Sequence, residues 1–236
     1  MNQDKIEILF EDNHLIIINK KAGDIVQGDK TGDKTLGDFV KDYIKEKYKK
    51  PGSVFIGVVH RIDRPVTGIV VFARTSKALE RMNELFREKK VQKTYWAVVK
   101  NKPSDEAGSL IHYLKKDEVK NKSKAFDKEV PGSLRSWLDY KLISQSDKYF
   151  LLEINPLTGR HHQIRAQLAA IGSPIKGDVK YGFDRTNEDA SIHLHARKIS
   201  FTHPVRKEII NIVAPVPDEN LWKFFEVQFD SKKIAD

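Results

Sequence analysis

No cysteine occurs among the 236 residues, which excludes disulfides, thiol nucleophiles and thiolate metal sites and fits a cytosolic, cytoplasmic protein. Long apolar runs are missing as well. The first strongly apolar stretch, Leu15 to Ile18, is far too short for a signal peptide or a membrane span. Internal repeats and low-complexity tracts are absent. Acidic residues are in the minority, 33 against 42 basic, for a formal charge of +9. That excess favours a polyanionic partner, chiefly nucleic acid, although it also serves solubility or loose attraction to acidic membranes. The length suits one sizeable core, and a single domain over 1–236 is the expectation.

Several elements can be read from pattern. Ile6 to Phe10 and Leu15 to Ile18 are β-rich runs joined by a tight connection, and residues 20–34 read as loop. Thr35 is placed to cap a helix whose apolar positions Leu36, Phe39, Val40, Tyr43 and Ile44 follow the 3.6 period. Val54 to Val59 and Ile69 to Ala73 predict strands, and Ser76 a capped amphipathic helix with Leu79, Met82, Leu85 and Phe86 inward. Residues 91–99 are rich in β-formers, whereas 101–133 is charged and reads as loops with an exposed hairpin. Strands are predicted near 134–143, 148–154, 192–201 and 207–213, and helices over 159–170 and 218–225. The fold class is α+β: a mixed, largely antiparallel sheet with flanking helices.

Two segments carry chemistry. In the first, His60-Arg61-Ile62-Asp63-Arg64-Pro65, an acid stands between two arginines on a charged loop that feeds an apolar strand. Neighbouring positive charge keeps Asp63 ionised, and an ionised carboxylate serves as nucleophile or base; a surface turn held by ordinary ion pairs is the alternative. In the second, Thr158 and Gly159 open a predicted helix carrying Arg160, His161, His162 and Arg165 in its first turns. A helix N-terminus is already partly positive, so these cations suit phosphate or a carboxylate from elsewhere in the fold. Arg165 follows Ile164 in the buried stripe and needs an acidic partner, for which Asp63 is a candidate.

Together these segments resemble the RluA family of RNA pseudouridine synthases. The family's His-Arg-Leu-Asp signature is matched by His60, Arg61, Ile62 and Asp63, and its Lys-x-Tyr-x-Ala element by Lys93, Tyr95 and Ala97. Its Thr-Gly-Arg-x-His-Gln-Ile-Arg stretch is matched by Thr158, Gly159, Arg160, His162, Gln163, Ile164 and Arg165. Gly-Asp-x-x-Tyr-Gly at 177–182 and Leu-His-Ala at 194–196 follow, with His203-Pro204 behind them. Departures are modest: Ile62 replaces the usual Leu, Val66-Thr67 replaces Thr-Ser, and Gln167 stands where many members have His. The match is to the catalytic domain, without the accessory N-terminal RNA-binding domain.

The resemblance implies isomerisation of uridine to pseudouridine in ribosomal or transfer RNA, on a flipped-out base. No cofactor or metal is implied, and the protein is taken as a monomer acting on an RNA stem-loop. By resemblance Asp63 is the reacting group, at C1′ as nucleophile or C2′ as base; Arg165 pairs with it, and Tyr95 packs against the target base. Arg61 resembles the arginine that fills the space left by the flipped nucleotide. His60, Arg64, Arg160, His162, Lys176 and the Lys-rich 115–128 stretch are expected RNA contacts. The histidine pairs 161/162 and 193/195 lack the ligand spacing of a metal site, and the Gly-Asp-Lys repeats at 28 and 32 lack a phosphate-loop pattern. Two other classes compete: a catalytically silent RNA-binding module of the same fold, and a hydrolase using Asp63 with Asp178.

Overall fold

The structure is a computed structural model that describes residues 6–28 and 32–235. The chain forms two compact units, one from Met1–Lys93 with Ala196–Pro215 and the other from Thr94–His195 with Val216–Asp236.

In the first unit, β1 (Glu7–Glu11) and β2 (Leu15–Lys20) form an antiparallel hairpin. The Asp12 carboxylate holds the turn by accepting the His14 and Leu15 N–H groups at 2.8 and 2.7 Å. β2 pairs antiparallel with β4 (Thr67–Ala73), from Leu15 opposite Ala73 to Lys20 opposite Gly68. Every residue of β4 is buried, which is why it reads as a continuous apolar run. Helix α1 (Leu36–Lys47) lays Leu36, Val40 and Ile44 on Ile16, Ile18, Val70 and Phe72. Its start is the expected one, with Thr35 and Asp38 satisfying each other's backbone N–H groups in a capping box.

Three local expectations shift. The cap of α2 (Ser76–Arg87) is Thr75, whose hydroxyl accepts the Ala78 N–H; Ser76 is already helical. The strand expected over 54–59 contracts to β3 (Gly57–Val58), because only Phe72 and Ala73 of β4 pair with it. Of the predicted 20–34 loop, Lys20 ends β2, and residues 29–31, including part of the first Gly-Asp-Lys, lie outside the described residues. β10 (Leu194–Thr202) and β11 (Ile209–Val213) form an antiparallel hairpin in this unit. Gly68 is required where β4 meets it: its φ is +106°, and a Cβ would lie 2.4 Å from the Ala196 carbonyl oxygen.

In the second unit the strand order is β5 (Gln92–Val99), β9 (Phe150–Pro156), β8 (Leu134–Gln145), β6 (Ala107–Asp117) and β7 (Lys122–Phe126), each paired antiparallel with the next. The 101–133 segment therefore supplies two sheet strands, one of eleven residues, and buries Leu114 and Ser123. Its lysines mask the alternation because they occupy the open face. Helix α3 (Gln163–Ala170) begins four residues later than expected. His162 sits in left-handed conformation at φ 52°, so Arg160 and His161 lie in the turn before the helix. Helix α4 (Asn220–Ala235) is twice the predicted span, since nothing after residue 225 breaks it. Its Trp222 and Phe225 cover Trp96, Val98 and Leu151. The architecture is α+β, as expected.

Candidate active site

The Asp63 loop runs between β3 and β4 and is tied down from beneath. Lys20, 1% exposed at the end of β2, donates to three carbonyl oxygens: Lys21 at 2.8 Å, Arg64 at 3.0 Å and Val66 at 2.8 Å. Two of those follow Asp63, by one and three residues. The Val66 N–H donates back to the Asp63 carbonyl at 3.0 Å, and the Gly23 N–H to the Arg64 carbonyl at 3.0 Å. The loop thus has its backbone polar groups committed inward, leaving the half-buried Asp63 side chain on a fixed support. Burial pushes the Lys20 ammonium down to about 8, opposed by the charges of Asp24 and Asp63 and assisted by Arg64. Val66 and Thr67, where the family usually has Thr-Ser, are both buried, so this departure is absorbed by packing.

The neighbours of Asp63 divide by role. His60 turns inward: its Nε2 accepts the Val71 N–H at 3.1 Å and its ring stacks on Phe86 at 5.1 Å. Desolvation, with the charge of Lys93 nearby, holds His60 down at about 3, consistent with a neutral acceptor. Lys93 is itself lowered by burial. Arg61 is exposed and donates to the Gln27 side chain at 3.0 Å, while Arg64 pairs with Asp33 at 2.9 Å, half in solvent.

In the second unit, the Thr-Gly-Arg-x-His-Gln-Ile-Arg stretch makes a self-supporting corner. The Gln163 side chain accepts from the Thr158 hydroxyl at 2.7 Å and the Arg160 N–H at 3.0 Å, and donates to the Trp137 carbonyl at 3.0 Å. Arg165 is 5% exposed and grips Asp178 with two bonds, Nε to Oδ2 at 2.7 Å and Nη2 to Oδ1 at 2.8 Å. This fork-to-fork pair fixes the guanidinium plane. Asp178 comes from the Gly-Asp-x-x-Tyr-Gly element, and Tyr181 of the same element lies 5.1 Å from the guanidinium. The Tyr181 hydroxyl accepts the Ser123 N–H at 2.8 Å and bonds His162 Nδ1 at 2.9 Å. Two motifs of the sequence are thereby one cluster.

Among the other named residues, Arg160 is exposed and reaches the Arg135 carbonyl, and Tyr95 lies on β5 opposite Ile154 of β9. Lys176 donates to Asn187 at 2.8 Å, with its pKa lowered by burial. Gln167, the residue that replaces His in many members, is fully buried and donates to the Leu110 carbonyl at 3.0 Å. Lys20, Gln163 and Asp178 were not assigned these parts from sequence. A lysine closing an otherwise apolar strand, Leu-Ile-Ile-Ile-Asn-Lys, was the available signal for the first. Among the described residues no group of three or more His, Asp or Glu could hold a metal, and no helix is long and apolar enough to cross a membrane.

Comparison with known proteins identifies the family. Residues 14–170 match the model of the RNA pseudouridylate synthase family. The ribosomal large subunit pseudouridine synthase C of Vibrio vulnificus is 33% identical over 90% of this chain, which spans 66% of that protein. The tRNA pseudouridine synthase C of Haemophilus influenzae is 30% identical over 97% of this chain and 100% of its own length. In structure, human RNA pseudouridylate synthase domain containing 4 superposes with a TM-score of 0.77 over 94% of this chain and 93% of its own, at 24% identity.

Proposed function

Because the chain belongs to the RNA pseudouridylate synthase family, we propose that it isomerises specific uridines in structured RNA, ribosomal or transfer, with Asp63 as the reacting carboxylate. The observation that carries this is Asp63 on a loop whose next carbonyls, those of Arg64 and Val66, are held by a buried lysine, since a reacting group must be positioned before it meets substrate. The Asp63 carboxylate acts at the sugar of a uridine flipped from its stack, at C1′ as a nucleophile or at C2′ as a base. The N1–C1′ bond breaks as Asp63 bonds to C1′ or takes the C2′ proton, the uracil turns, and C5 bonds to C1′ as Asp63 leaves or the C2′ proton returns; the C5 proton is then lost and N1 takes one up. Atoms balance without any redox partner. Tyr95 offers a ring for the base and Arg165 is the arginine of the reaction, as the resemblance implies. Arg61, Arg64, Arg160 and His162 contact RNA, and both compact units together serve as one catalytic domain.

Asp178 argues against the hydrolase. An acid–base pair needs a second carboxylate free to exchange protons, whereas both Asp178 oxygens accept from Arg165 in a buried site. The test is pseudouridine formation in unmodified cellular RNA by purified protein. Wild type should produce it and Asp63→Asn should lose at least about a thousandfold in rate while still binding RNA. Equal yields from the two proteins, or none from wild type, would defeat the reading. A primary isotope effect with 2′-deuterated uridine separates the C2′ route from attack at C1′.

A further inference from the structure

The open face of the β6–β7–β8 sheet has a composition that packing does not explain. Strand alternation sends His112, Leu114, Ser123, Ser136 and Leu138 to the buried side. On the opposite side, cross-strand register sets Ile111 beside Trp137, Tyr113 between Arg135 and Phe126, and Lys115 opposite Lys124. Ile111 is 43% exposed and the three aromatic residues are half-buried. The α4 cover lies over Trp96, Val98 and Leu151, with Ile143 and Tyr149 at its margin. Cations stand over the rings: Arg135 is 5.7 Å from the centre of Trp137 and Lys124 is 5.0 Å from that of Phe126.

Two features suit this face to an anion. Like charges directly opposite each other on a sheet face are destabilising, and Lys115 and Lys124 are so placed. Among the described residues, no carboxylate pairs with Lys115, Lys124 or Arg135. The acids on this face stand at its two ends: Asp117, opposite Lys122, accepts the Lys120 N–H at 2.9 Å, and Asp139 is engaged by the Trp137 indole N–H at 3.1 Å and by Ser109. Protein-binding faces are depleted in lysine, whereas aromatic rings interleaved with cations suit stacked bases joined by phosphates.

We propose that this face binds a single-stranded RNA segment, with bases stacking on Tyr113, Phe126 and Trp137 and phosphates meeting Lys115, Lys124 and Arg135. It rests on the RNA reading above for its choice of polyanion. The platform gives purchase on single-stranded RNA beyond the uridine that reacts.

The experiment measures binding of a labelled oligouridylate to the full chain by fluorescence anisotropy at several salt concentrations. Tyr113→Ala should weaken binding about fivefold to a hundredfold, and Tyr113→Phe should restore it. Lys115→Ala with Lys124→Ala should reduce the log–log salt slope by about 1.4, two contacts at about 0.7 each. Trp137 provides a readout that needs no destabilising change. Of the three tryptophans, Trp96 and Trp222 are buried at 1% and 3% exposure, so RNA should quench the intrinsic fluorescence of wild type but not of Trp137→Phe. Unchanged affinity in Tyr113→Ala and an unchanged slope in the lysine variant would overturn the proposal, including the case in which the face docks another protein. Asp63→Asn should bind oligouridylate as wild type does. Binding that depends on Tyr113 in a protein that never forms pseudouridine would sink the isomerase reading and leave the platform standing.

Discussion

Lys20 makes three hydrogen bonds that require all three protons of an ammonium, and its pKa is only about 8. Once the proton leaves, the amine can donate to only two of the three carbonyls. Pseudouridine formation should therefore fall as pH rises through about 8, seen in a pH–rate profile under single-turnover conditions, and Lys20→Met should be slow at every pH. Stability moves the other way. Below pH 8 folded and unfolded chains both hold this proton; between 8 and the ordinary 10.5 only the unfolded chain does, so the contribution of Lys20 rises with pH across that window. Urea unfolding of wild type should show that slope and Lys20→Met should lack it. Arg165 and Asp178 make the converse case: removing one partner strands a buried charge. Asp178→Ala should cost about 3–5 kcal/mol in the same assay, with pseudouridine formation lost alongside.

At the scale of elements, the close approach of Gly68 to Ala196 predicts that Gly68→Ala lowers the thermal midpoint. Strained backbone of this kind costs about 1–3 kcal/mol before the clash with the Ala196 carbonyl is counted, so the shift should be several degrees. Thr35→Ala, which removes a hydroxyl from the α1 cap, should cost about 0.5–2 kcal/mol. Both sites show what a reader of the sequence can recover. Thr35 was legible because a cap is local, and β4 because seven consecutive buried residues leave an apolar run. The α3 start was not: the left-handed His162 and the inward Gln163 depend on the Trp137 carbonyl, twenty-six residues away. Asp63 could be picked out by its arginines; Lys20 showed only as a lysine closing an apolar strand, and its part stayed hidden because its three acceptors are backbone carbonyls that any residue supplies. In 101–133 an exposed hairpin was legible, but not the length of its strands or their place in the sheet, since lysines on an open sheet face and lysines in a loop read alike.

For the whole molecule, the charge of +9 predicts RNA affinity that falls steeply with salt. Binding of a structured RNA, followed by filter retention from low to physiological salt, should give a linear log–log plot whose slope counts phosphate contacts, and Asp63→Asn should not flatten it. Both compact units are discontinuous in the chain. The first lacks β10 and β11 until residue 215 has been made, and the second lacks α4 until the last stretch. During synthesis on the ribosome, β4 must therefore wait more than a hundred residues for the Ala196 backbone that Gly68 is shaped to meet. Trp96 and Val98 wait as long for their helix. The nascent chain thus carries apolar strands without their final neighbours for much of its translation, so ribosome-bound chains stalled before residue 196 should be captured by exit-site chaperones more than chains stalled after residue 235.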